Sequence, residues 1–210
     1  LAANHRVTLW ARDAEQIRQM RATRCNQRYL PDISLPANLE LSEDCLASLA
    51  KADLAIIAVP TSGLRSVLKQ IAQLPDHVSG CIRANFGVLW LCKGFEAQTS
   101  QLPHQVVAEV LPASMHCGVL SGPSFALEVA KGLPTALTLA SADEVFARNT
   151  AQALHHARLR IYSSSDVIGV EVGGAVKNVM AVAAGISDGL GLGHNARAAL
   201  LTRGLAEITR

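Results

Sequence analysis

The 210-residue sequence lacks most of the signatures by which a catalytic site shows itself. It contains no Walker phosphate loop, no nucleophile elbow and no zinc motif. The G-x-G-x-x-G fingerprint of dinucleotide binding is absent as well; it normally precedes the second strand of such a fold by a helix length. No C-x-x-C occurs, and the five cysteines (Cys25, Cys45, Cys81, Cys92, Cys117) are odd in number. Reduced thiols in a cytosolic protein are therefore expected, not a disulfide framework. The seven histidines show no metal-ligand spacing. Two of them, His155 and His156, are adjacent and so would point to different faces of a helix, and no metal is expected. Charge of either sign is scarce in excess: 19 Lys and Arg against 17 Asp and Glu give a net +2, with no basic run. That balance does not suggest a nucleic-acid partner. No signal-peptide pattern, internal repeat or low-complexity segment stands out.

What is present is apolar. Half the residues are hydrophobic and 17% are charged, so a sizeable core is expected and disorder is not. The length suits one large domain or two small ones. Val7–Ala11 reads as a strand, followed by a helix from Asp13, its N-cap, to about Arg24. Cys25–Pro36 reads as a loop. The apolar run Asp53–Pro60 is typical of a buried parallel strand, after which Thr61 or Ser62 caps a helix to about Leu74. Val88–Cys92 reads as a further strand and Leu102–Leu111 as a helix. A very short strand at Val119–Leu120 ends in Ser121-Gly122-Pro123, and Ser124 caps a helix to about Lys131. Thr135–Ala140 and Leu159–Ser163 read as strands around a helix from Asp143 to His155. Strands alternating with helices predict a mostly parallel α/β sheet. From Asp166 onward only helix signals remain, which sets a domain boundary near Ser163–Ser165. One stretch, Val167–Ile186, has the length of a membrane span, but Glu171, Lys177 and Asn178 lie within it, where charge is costly in lipid. A long helix buried inside the protein is the expectation. Leu1 in place of Met, and an amphipathic Ala196–Arg210 without a stop signal, make both ends read as cut, so an internal piece of a longer chain is expected.

In open α/β sheets ligands bind beyond the carboxyl ends of the strands. Arg12, Pro60-Thr61, Lys93-Gly94 and Ser121–Ser124 occupy such places. Arg12, if it ends the second strand of a dinucleotide fold, can hold the 2′-phosphate of NADP; it can equally be a solvated arginine. Lys93 can hold an anion or a carbonyl, or simply end a strand. The turn at Ser121–Ser124 leads into a helix N-terminus suited to a polar or anionic ligand. Lys177 lies mid-helix in VGGAVKNVMAVAAG. It either snorkels to water or is desolvated, which lowers a lysine pKa and suits acid–base work.

Together these motifs resemble the bacterial-type NAD(P)-dependent glycerol-3-phosphate dehydrogenases. The matching stretches are WAR (Trp10–Arg12), CNQRYLPDISLP (Cys25–Pro36), AVP (Ala58–Pro60), CKGFE (Cys92–Glu96), SGPSFALEVAKGLPT (Ser121–Thr135) and the long run Gly173–Glu207. The resemblance implies a Rossmann-like NAD(P)-binding domain over 1–163, with its first strand missing. It also implies the start of an all-α substrate domain over 164–210 and a cleft between the two. The implied reaction is reversible hydride transfer between NAD(P)H and dihydroxyacetone phosphate, giving sn-glycerol 3-phosphate for glycerophospholipid synthesis in the cytoplasm. By the same resemblance Lys177 is the acid–base lysine. Lys93 contacts both cofactor and substrate; Gly122, Ser124 and Asn178 bind substrate; Arg12 and Ala126 bind cofactor. The family's later acidic residue and Arg-Asn pair have no counterpart in these 210 residues, and Gly80–Gly87 matches nothing expected before the Lys-Gly strand. Without the glycine-rich loop the pyrophosphate loses its helix N-terminus, so the piece alone is expected to be nearly inactive. Two other readings remain: another two-domain dehydrogenase acting on a 3-hydroxy acid or sugar acid, or a truncated remnant without activity. The partners expected are small molecules, with no nucleic acid and no membrane span; a homodimer is one compatible assembly.

Overall fold

The computed structural model describes residues 1–73 and 86–209. The ends of the stretches read above as reaching Leu74, and all of Gly80–Gly87 except Phe86 and Gly87, lie outside those residues. Strand β1 (Thr8–Trp10) leads into α1 (Ala14–Thr23), whose N-cap Asp13 accepts from the amides of Glu15 and Gln16. Cys25–Pro36, expected to be a loop, is instead an antiparallel hairpin of β2 (Cys25–Asn26) and β3 (Leu30–Ser34). Pro31 is tolerated because a two-stranded ribbon leaves each strand a free edge for the missing amide. Strand β4 (Glu40–Ser42) pairs parallel with β1, and α2 (Cys45–Leu49) follows. Among the described residues β1 does not join the main sheet, because no described strand lies between it and β5 to bridge them.

That sheet has the order β5 (Leu54–Ile57), β6 (Gly87–Trp90), β7 (His116–Ser121), β8 (Thr135–Ala140) and β9 (Leu159–Ser164). Its pairs are parallel except β7 with β8. Strand β7 runs six residues, longer than its apolar pair Val119–Leu120 suggests, because sheet pairing holds His116 and Cys117 that pattern alone would leave as loop. Helices α3 (Thr61–Ala72) and α4 (Pro103–Val110) cover one face. There Leu64, Leu68, Val106 and Val107 pack on Val88, Trp90 and Val119. Across a short helix α5 (Ala126–Ala130), α6 (Glu144–Leu154) covers the other face, where Ala147, Ala151 and Leu154 meet Leu89, Leu120 and Leu139. Alternate residues of one strand thus serve two cores, as the two-residue period requires.

Two expected caps are not formed. Thr61 is the first residue of α3, and its hydroxyl donates to the Lys93 carbonyl (2.8 Å) rather than capping. Ser124 lies outside α5, whose cap residue Phe125 makes no side-chain bond. After β9 the chain becomes a helical hairpin, α7 (Val167–Gly189) and α8 (Gly193–Ile208), tied by Arg197 to Asp188 at 3.1 Å. By length and composition α7 could cross a membrane. It is not the buried helix that its composition suggests: Val179 and Val182 are about two-thirds exposed (65% and 63%). Its first turns pack on the sheet, and its later turns pack on α8, where Met180 meets Gly204.

Candidate active site

Strands β5, β6 and β7 point the same way, so Thr61, Lys93 and Ser121-Gly122 gather at one edge of the sheet. The position of the Lys93 loop is fixed twice. Thr61 holds its carbonyl, and three residues later Glu96 accepts two bonds of 2.8 Å from Arg65 on α3. Arg65 also reaches Glu109 on α4 at 2.8 Å. The Arg65 guanidinium, then the Thr99 hydroxyl, hold the Glu96 carboxyl down to about 2. A depressed carboxylate stabilises the fold above its unfolded value and loses that contribution as pH falls through its folded value. For Glu96 the window runs from about 4 down to about 2. Glu96→Gln is accordingly expected to flatten the acid limb of a stability-against-pH profile in that window, followed by circular dichroism; an unchanged limb would show that the pair does not anchor this loop.

Lys93 itself is partly buried and donates from Nζ to the Gly122 carbonyl at 3.1 Å. Gly122 has φ +151, and a Cβ there would stand 2.8 Å from the Ala136 carbonyl oxygen, so only glycine lets the turn lie against β8. Helix α7 crosses this edge. Val167, Val170, Glu171, Gly174 and Lys177 recur at helical spacing and form the face it turns to the sheet. Val167 and Val170 pack on the core and Gly174 sits over Lys93: a Cβ at Gly174 would lie 2.9 Å from Ser121 Oγ and 3.6 Å from the Lys93 stem. One turn on, Lys177 faces Lys93. Burial first, and the Lys177 charge second, push the Lys93 ammonium below its ordinary value. A cleft of about 190 Å³ lies between Ser121, Gly122, Thr138, Gly173, Gly174 and Lys177.

The structure brings Lys93, Gly122 and Lys177 together and leaves the other anticipated residues more open. Ser124, Ala126 and Asn178 are exposed; Ser124 Oγ donates to the Gly122 carbonyl at 3.4 Å. Arg12 is exposed just after β1 and lines neither this cleft nor the one of about 230 Å³ between α1 and the hairpin. Of the two alternatives left open for Lys177, the structure shows the exposed one. Lys177 is not desolvated by its apolar helix: it is exposed at the mouth of the cleft, and the desolvated lysine is Lys93. Apolar sequence neighbours do not bury a side chain that the helix turns toward an open edge. Sequence reasoning also missed what holds this arrangement, namely Arg65 and the buried Glu171, whose carboxylate accepts from the Trp90 indole at 2.7 Å. A charge every bit as anomalous as Lys177 in the same apolar run was the available signal.

A mostly parallel α/β sheet, with helices on both faces and two lysines meeting at its carboxyl edge, defines a Rossmann-like protein with a ligand cleft at that edge. Sequence models agree on the kind: the NAD-dependent glycerol-3-phosphate dehydrogenase N-terminus matches residues 1–147 and the corresponding C-terminus residues 166–210. The chain belongs to the NAD-dependent glycerol-3-phosphate dehydrogenase family. It is 58% identical to the glycerol-3-phosphate dehydrogenase [NAD(P)+] of Thiobacillus denitrificans, covering 100% of this chain and 61% of that one. Identity to the protein of the same description from Nitrosomonas europaea is 56%, at the same coverage. The crystal structure of glycerol-3-phosphate dehydrogenase from Coxiella burnetii superposes with a TM-score of 0.85 at 42% identity, over 98% of this chain and 60% of that one. The chain thus spans about three-fifths of the length of these curated relatives.

Proposed function

We propose that the full gene product catalyses reversible hydride transfer between NAD(P)H and dihydroxyacetone phosphate, giving sn-glycerol 3-phosphate in the cytoplasm for glycerophospholipid synthesis. The observation that carries this reading is the meeting of Lys93 and Lys177 over the Gly122 turn at the sheet's carboxyl edge. Two facing ammonium groups favour an anion or a developing oxyanion between them, which a phosphorylated ketone supplies. In this reading residues 1–163 hold the cofactor and 164–210 open the substrate domain.

The residues present fit a dinucleotide. Gly94 has φ +92, and no atom lies within 4 Å of where its Cβ would stand, so the backbone beside Lys93 is open to close approach. Bound NAD(P)H supplies the hydride. Lys93, Ala126 and Arg12 would hold it, with the exposed Arg12 guanidinium placed for a 2′-phosphate. Lys93 also steadies the substrate through its bond to the Gly122 turn, together with Ser124 and Asn178. Lys177 gives the carbonyl oxygen its proton and, in reverse, its neutral amine takes the hydroxyl proton.

The test is oxidation of NADPH or NADH by the full gene product with dihydroxyacetone phosphate as acceptor. Turnover with this ketone and none with 3-keto acids is expected; the opposite preference would transfer the chain's chemistry to the 3-hydroxy acid or sugar acid class. Arg12→Ala is expected to raise KM for NADPH more than for NADH. An equal rise for both would show that Arg12 does not read the 2′-phosphate.

A further inference from the structure

Glu171 places a carboxyl group whose side chain is 1% exposed inside the apolar first half of α7. An isolated buried charge is costly, and proteins tolerate it only where donors surround it. Three do so here. The Trp90 indole N–H donates to Oε1 at 2.7 Å and the His104 amide to the same oxygen at 3.0 Å. His104 Nδ1 stands 2.5 Å from Oε2. One proton bridges this pair, carried by the ring nitrogen when Glu171 is a carboxylate. His104 is the second residue of α4, whose N-terminal dipole adds to the attraction. The donors come from two different elements. Trp90 ends β6, three residues before Lys93, and His104 opens α4, which Glu109 ties through Arg65 to the Lys93 loop.

The helical period gives this clamp its consequence. Gly174 is one turn beyond Glu171 and meets Ser121 and the Lys93 stem; Lys177 is a second turn on and faces Lys93. A carboxylate fixed to the end of β6 therefore sets the height and rotation of α7 where the two lysines meet. We propose that Glu171 is a positioning residue: it locks α7 to Trp90 and His104 and thereby sets Lys177 opposite Lys93. The proposal rests on the dehydrogenase reading for its catalytic consequence but not for its structural one.

The experiment uses the full gene product and three variants, Glu171→Ala, Glu171→Gln and Trp90→Phe. Glutamine keeps an acceptor for the indole and the amide, and its own amide can meet the deprotonated Nδ1 of the other His104 tautomer. With dihydroxyacetone phosphate, Glu171→Ala is expected to lower kcat by about tenfold to a hundredfold, since small misplacements cost up to that much, while KM for NADPH changes little. Glu171→Gln should recover most of the loss. In parallel, amide hydrogen exchange at residues 173–178 should quicken in Glu171→Ala and stay near wild type in Glu171→Gln. A folded Glu171→Ala with wild-type kcat, or equal losses in Ala and Gln, would overturn the proposal. If Glu171→Ala does not fold, Trp90→Phe decides: quicker exchange at 173–178 with lower kcat supports the clamp, and no change in either removes it. If wild type itself fails to reduce the ketone, the functional reading falls, and the clamp is judged on the exchange data alone, where an unchanged pattern in Glu171→Ala refutes it.

Discussion

Lys177→Ala in the full gene product is expected to lower kcat by about 10² to 10⁴, the range typical of a positioned acid–base group, with little change in cofactor affinity. The reasoning is chemical first. Hydride arrival at a ketone leaves charge on its oxygen, and a proton must follow. Lys177 stands at the mouth of the glycine-lined cleft, where a substrate oxygen can reach it. Lys177→Arg should fail as well, because guanidinium stays charged and cannot return as a base. Steady-state kinetics in both directions would check this. Should Lys177→Ala keep more than about a tenth of wild-type kcat, above the least that such a group contributes, the role would pass to Lys93, the lysine that burial already pushes toward its neutral form.

Gly122→Ala is expected to produce the largest single loss of stability. The added Cβ would stand 2.8 Å from the Ala136 carbonyl oxygen and 2.9 Å from Leu137 Cδ2, at a φ of +151 that side chains rarely adopt. The first contact is backbone of a central strand and cannot rotate away. Overpacking of this kind costs about 1–3 kcal/mol, and relief by moving the turn would carry the Gly122 carbonyl away from Lys93 Nζ. Urea unfolding should show a lower midpoint with an unchanged slope, which marks a loss of stability without a change in the surface exposed on unfolding. Activity should fall with it. A midpoint equal to wild type would mean that the turn has room that the sheet register denies.

Most of the fold was legible along the chain. Asp13 caps α1 as expected, the helix expected from Asp143 is α6, and Thr135–Ala140 forms β8 over the expected residues. These are local matters: a cap needs an oxygen three residues before an amide, and a buried parallel strand needs a continuous apolar run. The Cys25–Pro36 hairpin was not legible, because its strands have mixed polarity and one contains proline, so no period marks them. The site divides in the same way. Lys93, Gly122 and Lys177 could be named from strand ends and from one anomalous charge in an apolar helix. The sequence alone thus determined that the chain is α/β, that its helices take over after Asp166 and which residues to look for at the carboxyl ends of the strands. Only the tertiary structure decided that Lys93 rather than Lys177 is the desolvated amine, and that Glu171 is satisfied by Trp90 and His104. The reason is that burial and hydrogen-bond partners depend on which face a helix turns to which strand. That choice is made by contacts between residues up to 81 positions apart, and no local pattern records it.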